Sequence, residues 1–310
     1  MRIIEKFSPS YRNCGIISAV TLGTFDGVHI GHHEILKRLV RRARESRIEA
    51  VVITFDRHPS LVLNRNTFPG LLTTKEEKTG FFVSAGIDVT CVLEFTEQIA
   101  AMSAEEFIRE YLVGCLGMKW FVVGYDHGFG RDRMVSPDDL RRYGTELGFS
   151  LEIVDPVIRD GTPVKSSVIR AMIHDGDMTG AAKLMGREYS FSGIVVQGTG
   201  MGRAIGIPTA NIQPEVREKL IPGQGVYIGW VLLDGRKTPC VISIGPRPTF
   251  EISEETIEVH IPDFSGDVYG KHFYVGFIRK MRDIIRFESR EALVEQIQRD
   301  IKTLHHHIVS

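Results

Sequence analysis

The chain has 310 residues, 43% of them hydrophobic and 25% charged, with a formal net charge of −1, which fits two soluble globular domains. That charge balance, without a clustered basic surface, argues against a nucleic-acid partner. The absence of a long uncharged apolar run, or of a signal-peptide core in residues 1–13, argues against a membrane segment.

Four cysteines, Cys14, Cys91, Cys115 and Cys240, show no metal or redox spacing. Cys91 and Cys240 lie in apolar strand-like runs, so buried reduced thiols in a cytoplasmic enzyme are expected.

The first half alternates strand and helix signals. Ala19–Leu22 is a short apolar run ending at Gly23. Ile35, Leu36, Leu39, Val40 and Ala43 then recur at helical spacing, predicting a helix from near His32 to near Ser46. Ala50–Phe55 has the continuous apolar character of a strand buried on both faces, and Val89–Phe95, Trp120–Val123 and Leu151–Val154 supply three more. Ser103-Ala104-Glu105-Glu106 is a capping box for a helix running to about Leu116. The expected fold is α/β: a doubly wound, Rossmann-like parallel sheet binding ligands beyond the carboxyl ends of its strands. Gly23–His32 and Gly124–Gly130 both fall at such ends.

After about Met185 the strands become short and lose their intervening helices. Phe191–Gln197, Val226–Leu233, Pro239–Ile244, Thr256–Ile261 and Phe273–Ile278 predict a small closed β-barrel, with Asp234-Gly235 as a hairpin turn. Ser289 caps a final helix whose Leu293, Ile297, Ile301 and Leu304 are expected to pack on that barrel. Gly186 is the expected hinge, giving domains 1–186 and 187–310. His305, His306 and His307 sit side by side at a helix end and are taken as surface histidines.

Glycines at 23, 27 and 31 let backbone approach a polyphosphate closely. His29 and His32 flank Gly31 at the helix start, where N–H groups and the helix dipole favour anions. Two imidazoles there can donate to phosphate oxygens as charge builds in a transition state. No carboxylate cluster or nucleophile accompanies them, so direct in-line transfer is expected; alone, H-x-G-H also fits a histidine pair that caps a helix. Asp126 and His127 sit in the glycine-bracketed loop Gly124–Gly130. Ser166 and Ser167 stand at a helix start with Arg170 one turn inside, a combination suited to phosphate, although Ser166 alone also fits a plain N-cap. Phe55–Pro59 is taken as a site wall.

A second signature spans Gly198–Asn211. Arg203 and the glycines around it, Gly200 and Gly202 among them, fit a flap over phosphates. Thr209 and Asn211 share one face of an extended segment, where a hydroxyl and an amide oxygen can hold a hydrated magnesium ion bridging ATP phosphates. Glu258 and His260 share a face of Ile257–Ile261. Glu258 is a candidate base for a hydroxyl nucleophile, or else an ordinary outward strand residue. Two different phosphate signatures imply two nucleotide sites and two consecutive reactions.

The motifs G-T-F-D-G-V-H-x-G-H, T-F-D-x-H-P, G-x-D-x-x-F-G, S-S-x-I-R, G-x-G-x-G-R-x-x-G-I-P-T-A-N, I-G-x-R-P-T-F and I-E-V-H-I-x-D-F-x-G-D-x-Y-G follow one another here. In that order the chain resembles bacterial bifunctional riboflavin kinase/FAD synthetases over nearly its whole length. The resemblance implies a kinase that makes FMN from riboflavin and ATP, and an N-terminal nucleotidyltransferase domain that joins FMN to AMP from a second ATP, giving FAD and pyrophosphate. It assigns adenylyl transfer to His29 and His32, with Gly23, Phe25, Asp26, Gly27, Asp126, Ser166, Ser167 and Arg170 at the nucleotide phosphates. It assigns phosphorylation to Glu258, with Gly200, Gly202, Arg203 and Pro208 at ATP and Thr209 and Asn211 at Mg2+. Small-molecule substrates and a monomer or weak homo-oligomer go with it. Family members usually carry serine, serine, threonine where this chain has Lys165, Ser166 and Ser167, and a glutamate where it has Ile284. Competing readings are a nucleotidyltransferase of other specificity, which has no need of P-T-A-N, and a flavin-sensing regulator, which would carry eroded catalytic positions.

Overall fold

The structure, a computed structural model, describes residues 1–11, 15–63, 68, 70–125, 128, 135–198, 200–246, 255–264 and 266–309. Contacts divide the chain into two compact units, Met1–Ser166 and Ser167–Ser310.

In the first unit, β1 (Arg2–Ile4), β2 (Ser18–Leu22), β3 (Glu49–Phe55), β4 (Val89–Leu93), β5 (Met118–Gly124) and β6 (Ser150–Val154) form one sheet in the order β1-β4-β3-β2-β5-β6. All neighbours are parallel. β2 and β4 are buried along their whole length, as β-branched runs covered on both faces must be. Alternate side chains feed two cores. Val20, Val51, Ile53 and Phe121 pack with Phe107, Ile108 and Leu112 on one side; Ala19, Ala50 and Val52 pack with Leu36, Leu39 and Phe82 on the other. The strand order reverses about β2, with β3 on one side and β5 on the other, and this switch point opens a crevice at the carboxyl ends. The Ser103 capping box is formed. The helix it opens is not uniform: Ile108–Val113 is π-helical before the chain returns to α-helix at Gly114–Leu116. A minor hairpin, β7 (Ile158–Arg159) with β8 (Thr162–Pro163), completes this unit.

The second unit is a closed antiparallel barrel of β9 (Tyr189–Val196), β10 (Ala210–Pro214), β11 (Gly225–Leu233), β12 (Arg236–Pro246), β13 (Glu255–His260) and β14 (His272–Arg282), ordered β10-β13-β12-β11-β14-β9 and closed by β9 on β10. Asp234 and Gly235 both hold positive φ, 48° and 77°, between the paired Leu233 and Arg236, the two-residue hairpin expected. The Ser289 hydroxyl accepts the Ala292 N–H at 3.1 Å at the start of the helix Arg290–Val309. Ile301 and Leu304 of that helix pack with Val226, Ile228 and Val241, while Leu293 and Ile297 are half-buried. Arg282 grips the buried Asp300 through Nη2 and Nε at 2.7 and 3.1 Å, fastening helix to barrel.

Residues 167–185, carrying most of the helix Ser166–Asp175 and all of Met178–Met185, are counted by contacts with the barrel. Gly186, at φ 76°, closes the second helix as its left-handed C-cap. Cys91, Cys115 and Cys240 are buried, and burial pushes the Cys240 thiol far up. Cys14 lies outside the described residues.

Candidate active sites

The loop from Gly23 leaves β2 at the switch point and enters the helix Ile30–Ser46, which begins ahead of the start expected near His32. His29 is the N-cap: its Nδ1 accepts the His32 N–H at 3.2 Å. A neutral imidazole whose Nδ1 accepts carries its proton on Nε2, so the second nitrogen is a donor. The His29 and His32 rings stack with centroids 3.6 Å apart and planes 15° apart, and both line a cavity of about 570 Å³. Gly31 permits the arrangement, because a Cβ there would lie 3.2 Å from two His29 ring atoms. No acidic residue occupies the first turn of this helix, and a helix N-terminus of this kind suits an anion.

Phe55, His58 and Pro59 line the cavity as the sequence predicts, together with Gly23, Phe25, Gly124, Lys165 and Ser166. Ser166 Oγ donates to the Asp26 carbonyl at 2.8 Å, tying the start of its helix to the glycine-rich loop. Lys165 Nζ lies 5.5 Å from the Tyr125 ring centroid. Asp26 lies beneath the loop, 1% exposed. Its carboxylate accepts the Leu72 N–H at 3.0 Å, the Thr73 N–H at 2.9 Å and the Thr73 hydroxyl at 3.1 Å, and Gly27 N–H donates to the same hydroxyl at 2.9 Å. These bonds anchor the loop to the 72–73 segment. Ser167 and Arg170 lie on the helix Ser166–Asp175, in the residues counted with the second unit. Asp126 and His127 lie outside the described residues.

In the barrel, Asn211 of β10 stands opposite Glu258 of β13. Thr209 Oγ1 donates to Glu258 Oε2 at 3.1 Å, and His260 Nδ1 donates to the Pro208 carbonyl at 2.8 Å. Two alternate residues of β13 therefore fasten the P-T-A-N segment. A hydroxyl that gives its proton to a carboxylate keeps its lone pairs for a cation, and the Asn211 amide packs directly against Gly198, where any Cβ would collide with it. Gly202 holds a similar place: a Cβ would come within 3.0 Å of Thr209 Oγ1. Gly200, at φ 74°, precedes the short helix Met201–Ala204, on which Arg203 is exposed. Among the described residues no three His, Cys, Asp or Glu side chains form a metal cluster. The donor set at Thr209 and Asn211 is hydroxyl and amide oxygen, which suits a hard, largely hydrated cation shared with phosphates.

A family model for FAD synthetase matches residues 14–168, and one for riboflavin kinase matches residues 185–308. The bifunctional riboflavin kinase/FMN adenylyltransferase of Pseudomonas fluorescens is 35% identical over 302 residues, 97% of this chain and 95% of its own. The chain belongs to this family. Its Escherichia coli K12 member is 35% identical over 91% of this chain and 90% of its own. A solved structure described as a macrolide-efflux protein from Streptococcus pneumoniae superposes with a TM-score of 0.90 at 31% identity, covering 98% of this chain and 99% of its own. Efflux is that protein's description; among the described residues here, no helix is long and apolar enough to cross a membrane.

Family membership also gives sense to a wall that the sequence did not reveal. Phe95, Ile99, Ala100 and Phe107 line the first-unit cavity. Each stands in a short segment where an isolated apolar residue is indistinguishable from core. The fold brings them together at the wall of this cavity.

Proposed function

We infer that the protein phosphorylates riboflavin with ATP to FMN and then adenylylates FMN with a second ATP, releasing FAD and pyrophosphate. The observation that carries the adenylyltransferase half is the stacked His29–His32 pair at a helix N-terminus with no acidic residue in its first turn, in a cavity also lined by Phe55, Phe95, Ile99 and Ala100. An aromatic ring system and a polyphosphate need both kinds of lining. In this reading an FMN phosphate oxygen attacks the α-phosphorus of ATP and the bond to pyrophosphate breaks. His29 and His32 donate to phosphate oxygens as charge accumulates, while Ser166 and the loop backbone hold the chain of phosphates. Ser167, Arg170 and Asp126 join them by family resemblance.

In the barrel, the ribityl hydroxyl attacks the γ-phosphorus of ATP, ADP leaves, and Glu258 accepts the hydroxyl proton. Thr209 and Asn211 would hold Mg2+, with Gly200, Gly202, Arg203 and Pro208 around the nucleotide. The ion, when bound, neutralises charge on the phosphates of ATP. The Thr209–Glu258 hydrogen bond supports this division of roles, since it sets the base beside the cation's donor. Adenylyl transfer is assigned to residues 1–186 and phosphorylation to 187–310. We assign the enzyme to the cytoplasm, in keeping with its buried cysteines.

Purified protein given riboflavin, ATP and magnesium should show FMN rising first and FAD following from it, resolved by chromatography. Chelating the magnesium should stop phosphorylation. Absence of FMN at all times would refute the kinase reading.

A further inference from the structure

Beneath the Gly23–His29 loop lies a buried lysine that neither half-reaction uses. Lys78 stands on the helix Lys75–Ser84 and is 9% exposed. Its Nζ donates to the Thr24 carbonyl at 2.8 Å and to Thr54 Oγ1 at 3.4 Å, and the Thr54 hydroxyl donates to the same carbonyl at 3.3 Å. Burying an ammonium costs solvation that an apolar side chain of equal length would not lose. That cost pushes the Lys78 pKa down, against the opposing pull of Asp26. A position that only needed filling would not carry a lysine.

The peptide that Lys78 grips leads into the cavity, which Thr24 and Phe25 both line. It is trans, and in a trans peptide the carbonyl and the N–H point in opposite directions. With the Thr24 oxygen turned onto Lys78, the Phe25 N–H is turned away from it. Among the described residues that N–H has no hydrogen-bond partner. The loop also holds Phe25 at φ 47° and Val28 at φ 34°, conformations that side-chain-bearing residues rarely adopt and that persist only when the surroundings enforce them. Asp26 anchors the loop through Leu72 and Thr73, and Lys78 anchors it through the Thr24 carbonyl.

We propose that Lys78 is a positioning residue for adenylyl transfer: by holding the Thr24 carbonyl it aims the Phe25 N–H at the nucleotide phosphates, and it sets a positive charge under the loop that receives them. This rests on the reading of the first unit as an FMN adenylyltransferase.

Lys78→Met tests it, because methionine fills the space without donor or charge. FAD formation from FMN and ATP should lose roughly 10- to 100-fold in kcat/KM, the scale of one charge-assisted hydrogen bond, chiefly through a raised KM for ATP. The melting temperature should stay level or rise, since the buried charge is gone, and riboflavin phosphorylation should remain parental. Lys78→Gln, which keeps a donor without the charge, should recover part of the ATP affinity, and it decides the matter alone if Lys78→Met does not fold. Parental kinetics in either variant, with or without a lowered melting temperature, would overturn the proposal. A wild-type protein that makes no FAD would instead refute the adenylyltransferase reading, a result distinct from a variant that equals an active parent.

Discussion

Glu258 illustrates how one side chain can satisfy both a structural and a chemical reading. It is an in-register member of β13 and it accepts the Thr209 hydroxyl. The ribityl alcohol is a weak nucleophile, and phosphoryl transfer through a loose transition state takes much of its rate from positioning. A carboxylate in reach should still contribute roughly 10²–10⁴-fold by orienting the hydroxyl and taking its proton. Gln at this position can accept from Thr209 through its remaining oxygen, so the local geometry should survive Glu258→Gln. That variant should lose riboflavin phosphorylation by this factor while converting supplied FMN to FAD at the parental rate. Near-normal FMN output would leave Glu258 a strand residue only. At this scale the sequence was most informative where partners are close in the chain. The stacked pair His29/His32 follows from local spacing. The partners of Asp26 do not: Leu72 and Thr73 are joined to it by tertiary folding alone. These anchors are 46 and 47 residues away in the chain, so nothing local to the glycine-rich loop announces them.

Elements were legible in proportion to their length and periodicity. The apolar runs of β3 and β4, the Ser103 capping box and the Asp234-Gly235 turn all appear where their local chemistry puts them. β1 went unread because three residues at a sheet edge carry no period. β10, Ala-Asn-Ile-Gln-Pro, has few β-formers and owes its state to its two neighbours in the barrel. The helix Ser166–Asp175 has a start signal in the sequence, but its allegiance and that of Met178–Met185 are tertiary. Met178–Met185 packs on β9 and β14, burying Ala181, Leu184 and Met185, and Gly223 N–H donates to the Ile173 carbonyl at 3.3 Å. Burial of each large apolar side chain is worth about 1.5–3 kcal/mol. A fragment 167–310 should therefore fold and phosphorylate riboflavin, whereas 187–310 should be less stable by several kcal/mol, read by thermal unfolding. Equal melting temperatures would show that residues 167–186 add nothing to the barrel's stability.

The molecule as a whole couples a parallel sheet and a closed barrel, each with its own phosphate signature, cores and donor geometry. The two family models match separate stretches of the chain, and the two candidate sites are built from unrelated local devices. Independence is the central claim, and it is tested most directly by disabling one site and following both products. Replacing His29 and His32 together with Asn removes the stacked imidazoles without touching the barrel. Each such donor is worth roughly 2.7–4 kcal/mol of barrier, so the double variant, given riboflavin, ATP and magnesium, should accumulate FMN at the parental rate and form no detectable FAD. FAD formed at the parental rate, or FMN and FAD lost together in a folded protein, would contradict the account.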